Sequence, residues 1–221
     1  MNDDKLTLNG QDVEAADLPD WRIMFDTLQA RFRTGSFATG LAMVNEIGEA
    51  AEGMNHHPDL DLRYPTLHVR LSSHDVGGVT RRDIDLARKI SEMASRLGAT
   101  ADTDAVQVLE LALDTPDHQA VKPFWAAVLG MDNSGRADEI VDKSGILPTV
   151  WFQESDADEE VRQRWHLDIR VPPEVAEARI KAALDAGGVL VSDAAAPSYW
   201  VLADVQGNKA CVCTWQGRGQ G

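Results

Sequence analysis

Asn55-His56-His57-Pro58, Ser72-Ser73-His74-Asp75, Gly77-Gly78 and Asp83 punctuate one stretch of this chain, residues 55 to 83. His56, His57 and His74, three of the protein's six histidines, lie there around one short predicted strand. Three imidazoles near one pocket can run acid and base chemistry at neutral pH without a metal. Upstream, Ser36 is placed to cap a helix whose apolar positions Phe37, Leu41, Val44, Ile47, Ala51 and Met54 recur every three or four residues. That helix delivers His56 and His57 at its end. Pro58 blocks further helix and biases His57 toward extended geometry, so the two rings diverge. Downstream, Leu67, Val69 and Leu71 alternate with His68, Arg70 and Ser72, the period of a half-buried strand, and His74 follows at its exit. Thr80-Arg81-Arg82-Asp83 reads as a capping box opening a helix through Ile84, Ala87, Ile90 and Ala94, which makes Asp83 first a helix cap and only secondarily a pocket neighbour. His68, on the polar side of the strand, is read as structural.

With these elements in this order, residues from about Trp21 to Leu97 resemble the pterin-4a-carbinolamine dehydratases, which remove water from 4a-hydroxytetrahydropterin (4a-hydroxytetrahydrobiopterin) to give the quinonoid dihydropterin. The resemblance implies that His56, His57 and His74 surround the pterin as catalytic groups, with Asn55, Ser72, Ser73 and Asp75 as substrate-binding neighbours. Asn55 stands where many relatives have Asp, and Ser73 where threonine is common; both exchanges keep a polar group. Loss of the 4a-hydroxyl needs a proton delivered to oxygen and a proton removed from N5. Histidine, with an unperturbed pKa of ~6.5, can do either, and such assistance is worth about a hundredfold to ten-thousandfold. His56 and His74 are assigned the acid-base steps, His57 substrate binding or proton sharing. A His-His pair before proline can also simply end a helix, its imidazolium facing the negative pole. The third histidine and the family order favour catalysis.

Composition bounds the rest. The 221 residues, 43% hydrophobic, suffice for two small domains with real cores. A formal charge of -15, from 36 acidic and 21 basic residues, argues against a nucleic-acid groove or an anionic membrane surface as partner. No apolar run approaches the ~20 residues of a membrane helix, and the polar start Met1-Asn2-Asp3-Asp4 lacks the basic and apolar regions of a signal peptide. A cytoplasmic protein is expected. Cys211 and Cys213, two apart in a predicted strand, are poorly placed to bridge each other and read as reduced, buried thiols.

Gly98 stops the helix that ends at Leu97, and the small polar run after it reads as a linker, giving domains at 1–98 and 106–217 with 99–105 between them. The second domain is expected to open with a strand from Val106 to Leu113, then a helix from Thr115-Pro116 to Gly130. A strand from Trp165 to Val171 and a helix from Pro173 to Gly187-Gly188 echo that order. Tyr199 to Ala203 and Ala210 to Trp215 then form a hairpin around Asp204-Val205-Gln206-Gly207-Asn208. The acidic run Glu154 to Glu160 reads as a solvated loop.

On Phe124-Trp125-Ala126-Ala127-Val128-Leu129-Gly130, His166-Leu167-Asp168 and Gly207-Asn208, this half resembles the glyoxalase, bleomycin-resistance and extradiol-dioxygenase superfamily, the vicinal oxygen chelate fold. Metal-binding members place His, Gln or Glu on the first strand of each half and carboxylates on later strands, so the resemblance points to Gln107, His166, Cys211 and Gln153. One imidazole with amides and a thiol is a poor set for iron, manganese, nickel or zinc, so neither a catalytic metal nor another cofactor is expected. His166 is read as a strand histidine bonded to Asp168 or Trp165 neighbours. Trp125, Trp151, Trp165 and Trp200 either line an apolar cup or fill the core. The expected architecture is α+β: a helix-covered antiparallel sheet followed by paired βαβββ modules. The resemblance further implies a reduced pterin as small-molecule substrate and a homo-oligomer, dimer or tetramer. Two other readings stand beside the dehydratase: a noncatalytic pterin-binding or coactivator-like partner role, and a lyase or dioxygenase activity in the second half. The intact histidines weigh against the first, the missing ligand carboxylates against the second.

Overall fold

Apolar residues alternate along Thr27–Arg33 and Thr66–Leu71 with a period of two, and these strands form the centre of the first sheet. In the computed structural model, which describes residues 5–155, 166–171, 173–214 and 216, the chain divides into two compact units, 1–108 and 109–221. The first unit runs α1 (Gly10–Ala15), β1 (Arg22–Met24), β2 (Thr27–Arg33), α2 (Phe37–Met54), β3 (Asp59–Arg63), β4 (Thr66–Leu71), α3 (Arg81–Leu97) and β5 (Thr100–Ala101). Its sheet has the order β1-β2-β4-β3, with β5 also on β2, and every pairing is antiparallel. Leu28, Ala30 and Phe32 of β2 and Leu67, Val69 and Leu71 of β4 make one apolar layer. Met43, Ile47 and Ala51 of α2 and Ile84, Leu86, Ala87, Ile90 and Ala94 of α3 supply the helical side of the core. Each of the larger side chains, fully buried, contributes about 1.5–3 kcal/mol.

Two expectations for this unit change. Phe37 and Leu41, read as part of the buried face of α2, are exposed, and the core face runs through Gly40, Met43, Ile47 and Ala51. Gly40 lies on that face: a Cβ there would sit 2.5 Å from Leu62 Cδ1, so its missing side chain lets α2 approach β3 closely. The segment 99–105, read as a linker, belongs to the first unit. Gly98 takes a left-handed conformation (φ 74°) that turns the chain back, and Thr100–Ala101 pair with Arg33 and Phe32 at the end of β2 that β1 does not reach, on the edge opposite β4. The Asp102 N–H donates to the Arg31 carbonyl at 2.7 Å, and its carboxylate accepts from Arg33 Nε at 2.8 Å, which holds it below the usual carboxylate range.

The second unit is built from two modules of the same order: β6 (Leu111–Thr115), α4 (His118–Leu129), β7 (Asp132–Asn133), β8 (Glu139–Val141) and β9 (Val150–Glu154), then β10 (Leu167–Arg170), α5 (Pro173–Asp185), β11 (Val189–Ser192), β12 (Tyr199–Ala203) and β13 (Lys209–Cys213). The sheets read β6-β9-β8-β7 and β10-β13-β12-β11, and in each the first and last strands of the module run parallel. Phe124, Trp125 and Val128 of α4, Ala176 and Ala183 of α5, and Phe152, Leu202 and Val212 of the strands share one core. The first strand starts at Leu111, not Val106, and Gln107 precedes it in an irregular segment. The helix expected to open at Thr115-Pro116 opens instead at His118, where Asp117 accepts from the Ala120 N–H. Trp165, Trp215 and positions 156–160 of the acidic run lie outside the described residues. The fold is α+β, a helix-covered antiparallel sheet followed by paired βαβββ modules. Among the described residues no helix is long and apolar enough to cross a membrane.

Candidate active site

The end of α2 sorts its two histidines. Asn55 adopts the left-handed conformation (φ 47°, ψ 43°), which Asn tolerates better than most residues. Its N–H bonds to Glu52, and the His56 N–H reaches back to the Ala51 carbonyl at 3.0 Å, closing the helix by a Schellman turn. The reversal buries His56, which is 6% exposed. His57 faces solvent, its Nε2 3.1 Å from Glu52 Oε1.

His56 Nε2 lies 2.7 Å from Oδ1 of Asp83, a residue with no exposed surface in the first turn of α3. The other oxygen, Oδ2, accepts from Ser73 Oγ at 2.7 Å, the Thr80 N–H at 2.7 Å and Thr80 Oγ1 at 3.2 Å. The capping box read from the sequence is therefore present. The same carboxylate also reaches the histidine, because capping uses one oxygen and leaves the second free to accept. An accepting carboxylate favours a ring proton on Nε2 and fixes the orientation of the imidazole.

His74 is exposed and follows Ser73 in the turn that Ser73 and Gly78 close; the Ser73 N–H donates to the Gly78 carbonyl at 2.9 Å. Ser73 thus pins the His74 turn to the carboxylate that holds His56. Asn55 is exposed and Ser72 half-buried, with its hydroxyl donating to the Asp26 carbonyl at 3.1 Å. Ser73 is 1% exposed and committed to the internal network. Asp75 accepts from Arg82 at 2.6 Å and pairs with Lys5 at 3.0 Å; these two cations hold its pKa at about 2. His68 is half-buried beside Gln29, and burial, then Arg70 and Arg31, lowers its pKa. The sequence reading gave Asp83 chiefly to the helix and did not connect Thr80 with the histidines. A capping carboxylate with an unspent oxygen was the available signal.

In the second unit the positions marked for a metal do not gather as expected. Gln107 falls within the first unit, and Gln153 is exposed on β9 with its amide donating to the Glu154 carbonyl. His166, Asp168 and Cys211 do gather: all three ligand atoms lie within 4.8 Å of one another. Asp168 was missed as a partner of the thiol, although residues two apart on a strand share a face. Trp125 is core, its Nε1 donating to Asp204 Oδ2 at 3.0 Å, and that carboxylate also accepts from Gln206 and Asn208 to shape the hairpin turn. Trp200 is half-buried beside Leu184 and Ile180.

These elements define a two-unit α+β protein with a buried His–Asp pair at a helix end in its first unit. The family model described as pterin 4 alpha carbinolamine dehydratase matches residues 4–93, and a model described as a glyoxalase-like domain matches residues 110–213. A protein of Nocardia farcinica, provisionally named a pterin-4-alpha-carbinolamine dehydratase, is 47% identical over 78 residues, covering 35% of this chain and 82% of that protein. The chain belongs to the pterin-4a-carbinolamine dehydratase family and carries a glyoxalase-like domain behind the family segment. Among solved structures, a transcriptional coactivator/pterin dehydratase of Brucella melitensis is 27% identical, with a TM-score of 0.39, over 40% of this chain and 99% of that one. A glyoxalase/bleomycin resistance protein/dioxygenase family enzyme of Burkholderia phytofirmans is 16% identical, with a TM-score of 0.39, over 48% of this chain and 95% of that one.

Proposed function

We propose that the first unit dehydrates a 4a-hydroxytetrahydropterin to the quinonoid dihydropterin by histidine acid-base catalysis, in recycling of a pterin cofactor. The observation that carries this reading, beside family membership, is the carboxylate-held His56 joined through Asp83 and Ser73 to the turn that bears His74. His74 and His57, both exposed, are the groups able to meet a substrate directly. One delivers a proton to the 4a-oxygen, the C4a–O bond breaks and water leaves; the N5 proton passes to a neutral imidazole and the N5–C4a double bond forms. The net change is loss of one water. His56 is held by Asp83 through Nε2, so its part is that of an oriented proton relay; burial shifts direct acid-base work from His56 toward His57. Asn55 and Ser72 supply polar contacts at the rim, while Ser73 and Asp75 hold the scaffold. Work in the cytoplasm and assembly into a dimer or tetramer belong to the same proposal.

The test follows decay of freshly generated 4a-hydroxytetrahydropterin by ultraviolet absorbance with wild type, His74→Ala, His57→Ala and His56→Ala. Wild type should accelerate the decay, and each variant should lose about a hundredfold or more. No acceleration by folded wild type would refute the reading and leave a noncatalytic role.

A further inference from the structure

We propose that Arg82 and Lys5, acting through Asp75, are positioning residues for His74, a role that rests on the dehydratase reading of that histidine. His74 is exposed, so its ring is only as well placed as the backbone beneath it. That backbone is tied at both neighbours. On one side Ser73 Oγ donates to Asp83 Oδ2 at 2.7 Å and the Ser73 N–H to the Gly78 carbonyl at 2.9 Å. On the other, Asp75 accepts Arg82 Nη2 on Oδ1 at 2.6 Å and pairs with Lys5 Nζ through Oδ2 at 3.0 Å. Each oxygen of Asp75 therefore has its own cation. Both ties spring from one helix start: Arg82 and Asp83 are consecutive in the first turn of α3, so the helix that holds Ser73 with one residue holds Asp75 with the other. Arg82 Nε also donates to Thr80 Oγ1 at 3.4 Å, the hydroxyl that meets Ser73 and Asp83 inside. Contacts thus run unbroken from His56 through Asp83, Thr80, Arg82 and Asp75 to Lys5.

Lys5 brings a second element to the turn. The Leu8 N–H donates to the Val79 carbonyl at 2.7 Å, which lays residues 5–8 along the exit of the turn. Thr7 comes so close that a Cβ on Gly78 would lie 3.3 Å from its Cγ2. Two elements distant in sequence, residues 5–8 and α3, thus converge on Asp75. A direct substrate contact by Asp75, implied by the family resemblance, is the competing reading. Against it, both carboxylate oxygens are engaged by cations, which hold the pKa at about 2, so the group stays ionised and paired through the neutral range. The Arg82 and Lys5 side chains are 25% and 61% exposed, and exposed ion pairs contribute little to folding. Position is more demanding, since displacing a catalytic group by about 1 Å can cost about a hundredfold in rate. The clamp therefore bears on the rate more than on the fold.

The experiment uses the full chain in the pterin-decay assay, with amide hydrogen exchange measured on the same samples. Asp75→Asn and Arg82→Gln should each lower kcat about tenfold with KM within about twofold, and the double variant should lose no more than either alone, because both break one contact. Arg82→Lys should recover part of the loss, and Lys5→Met, which leaves Arg82 in place, should lose less. In a His74→Ala background, Asp75→Asn should change nothing further. The Val76 and Gly77 N–H groups, bonded to the Ser73 carbonyl at 3.0 and 2.9 Å, report the turn itself; their exchange should quicken in Asp75→Asn while the melting temperature moves by no more than a few degrees. An unchanged kcat in Asp75→Asn, a rise in KM in place of a fall in kcat, or a further loss in the His74→Ala background would overturn the proposal. A folded wild type that does not accelerate the decay refutes the dehydratase reading instead, and the exchange of Val76 and Gly77 then still decides whether the clamp orders the turn.

Discussion

At the scale of the residue, Asp83 carries two tasks with its two oxygens. Oδ2 closes the cap of α3 and Oδ1 fixes the His56 ring. In Asp83→Asn the amide oxygen can still take the cap donors, Ser73 Oγ and the Thr80 N–H, so the NH2 group must face His56 Nε2. The imidazole proton is then driven to Nδ1. On the proposed mechanism kcat falls about a hundredfold or more with KM little changed, and nitrogen NMR of the ring should report the tautomer change, a signature that mere loss of stability would not give. Loss of the charge-assisted bond costs about 1.5–3 kcal/mol. His68 gives a second expectation, through pH. Its folded pKa lies below the ordinary ~6.5 because of burial, then Arg70 and Arg31, with Asp61 opposing them. The unfolded chain therefore binds the proton more readily, and stability is full above about pH 6.5 and declines as pH falls through the lower folded value. Urea unfolding at about pH 8 and about pH 5.5 should show a smaller acid loss in His68→Gln than in wild type; equal losses would remove His68 from the account. Asp75, held at about 2, adds its own loss only in the more acid range between the ordinary carboxylate value and that one.

At the scale of the element, what could be read in advance is what depends on neighbours along the chain. The alternation in Thr66–Leu71, the Ser36 cap, the Thr80–Asp83 box and the hairpin at Asp204–Asn208 are local patterns, and they are present. The rotation of α2 was not legible, because it depends on residues of another element, such as Leu62 against Gly40. The pairing of Thr100–Ala101 with β2 was equally hidden, since small polar residues after Gly98 read alike as linker or short edge strand. The three histidines were legible as a constellation; their sorting into one buried and two exposed rings needed the Asn55 turn and the distant Asp83. The same dependence on packing gives glycine substitutions opposite signs. A Cβ on Gly188 would lie 2.4 Å from Phe124 Cδ2 and 2.7 Å from the Ala183 carbonyl. Gly188→Ala should therefore destabilise the glyoxalase-like domain by about 1–3 kcal/mol. Gly48, inside α2, has nothing within 4 Å of its virtual Cβ, and Gly48→Ala should gain about 0.5–1 kcal/mol from helix propensity. Thermal unfolding of the two variants should move the melting temperature in opposite directions.

At the scale of the molecule, among the described residues every member of the first core comes from residues up to Ala101 and every member of the second from Leu111 onward. Each unit thus has its own cooperative set of buried contacts, and residues 1–108 should fold when expressed alone. Their heat-capacity change on unfolding should be about 1.3–1.6 kcal/mol/K, the value for a chain of that length with a complete core. A fragment without a cooperative transition would show that the first unit depends on the second. Separate cores also predict separate melting. In calorimetry of the full chain, one transition should fall where the isolated 1–108 fragment melts, and a second should belong to 109–221. A single transition in the full chain, at a temperature the fragment does not share, would make the two cores one cooperative unit.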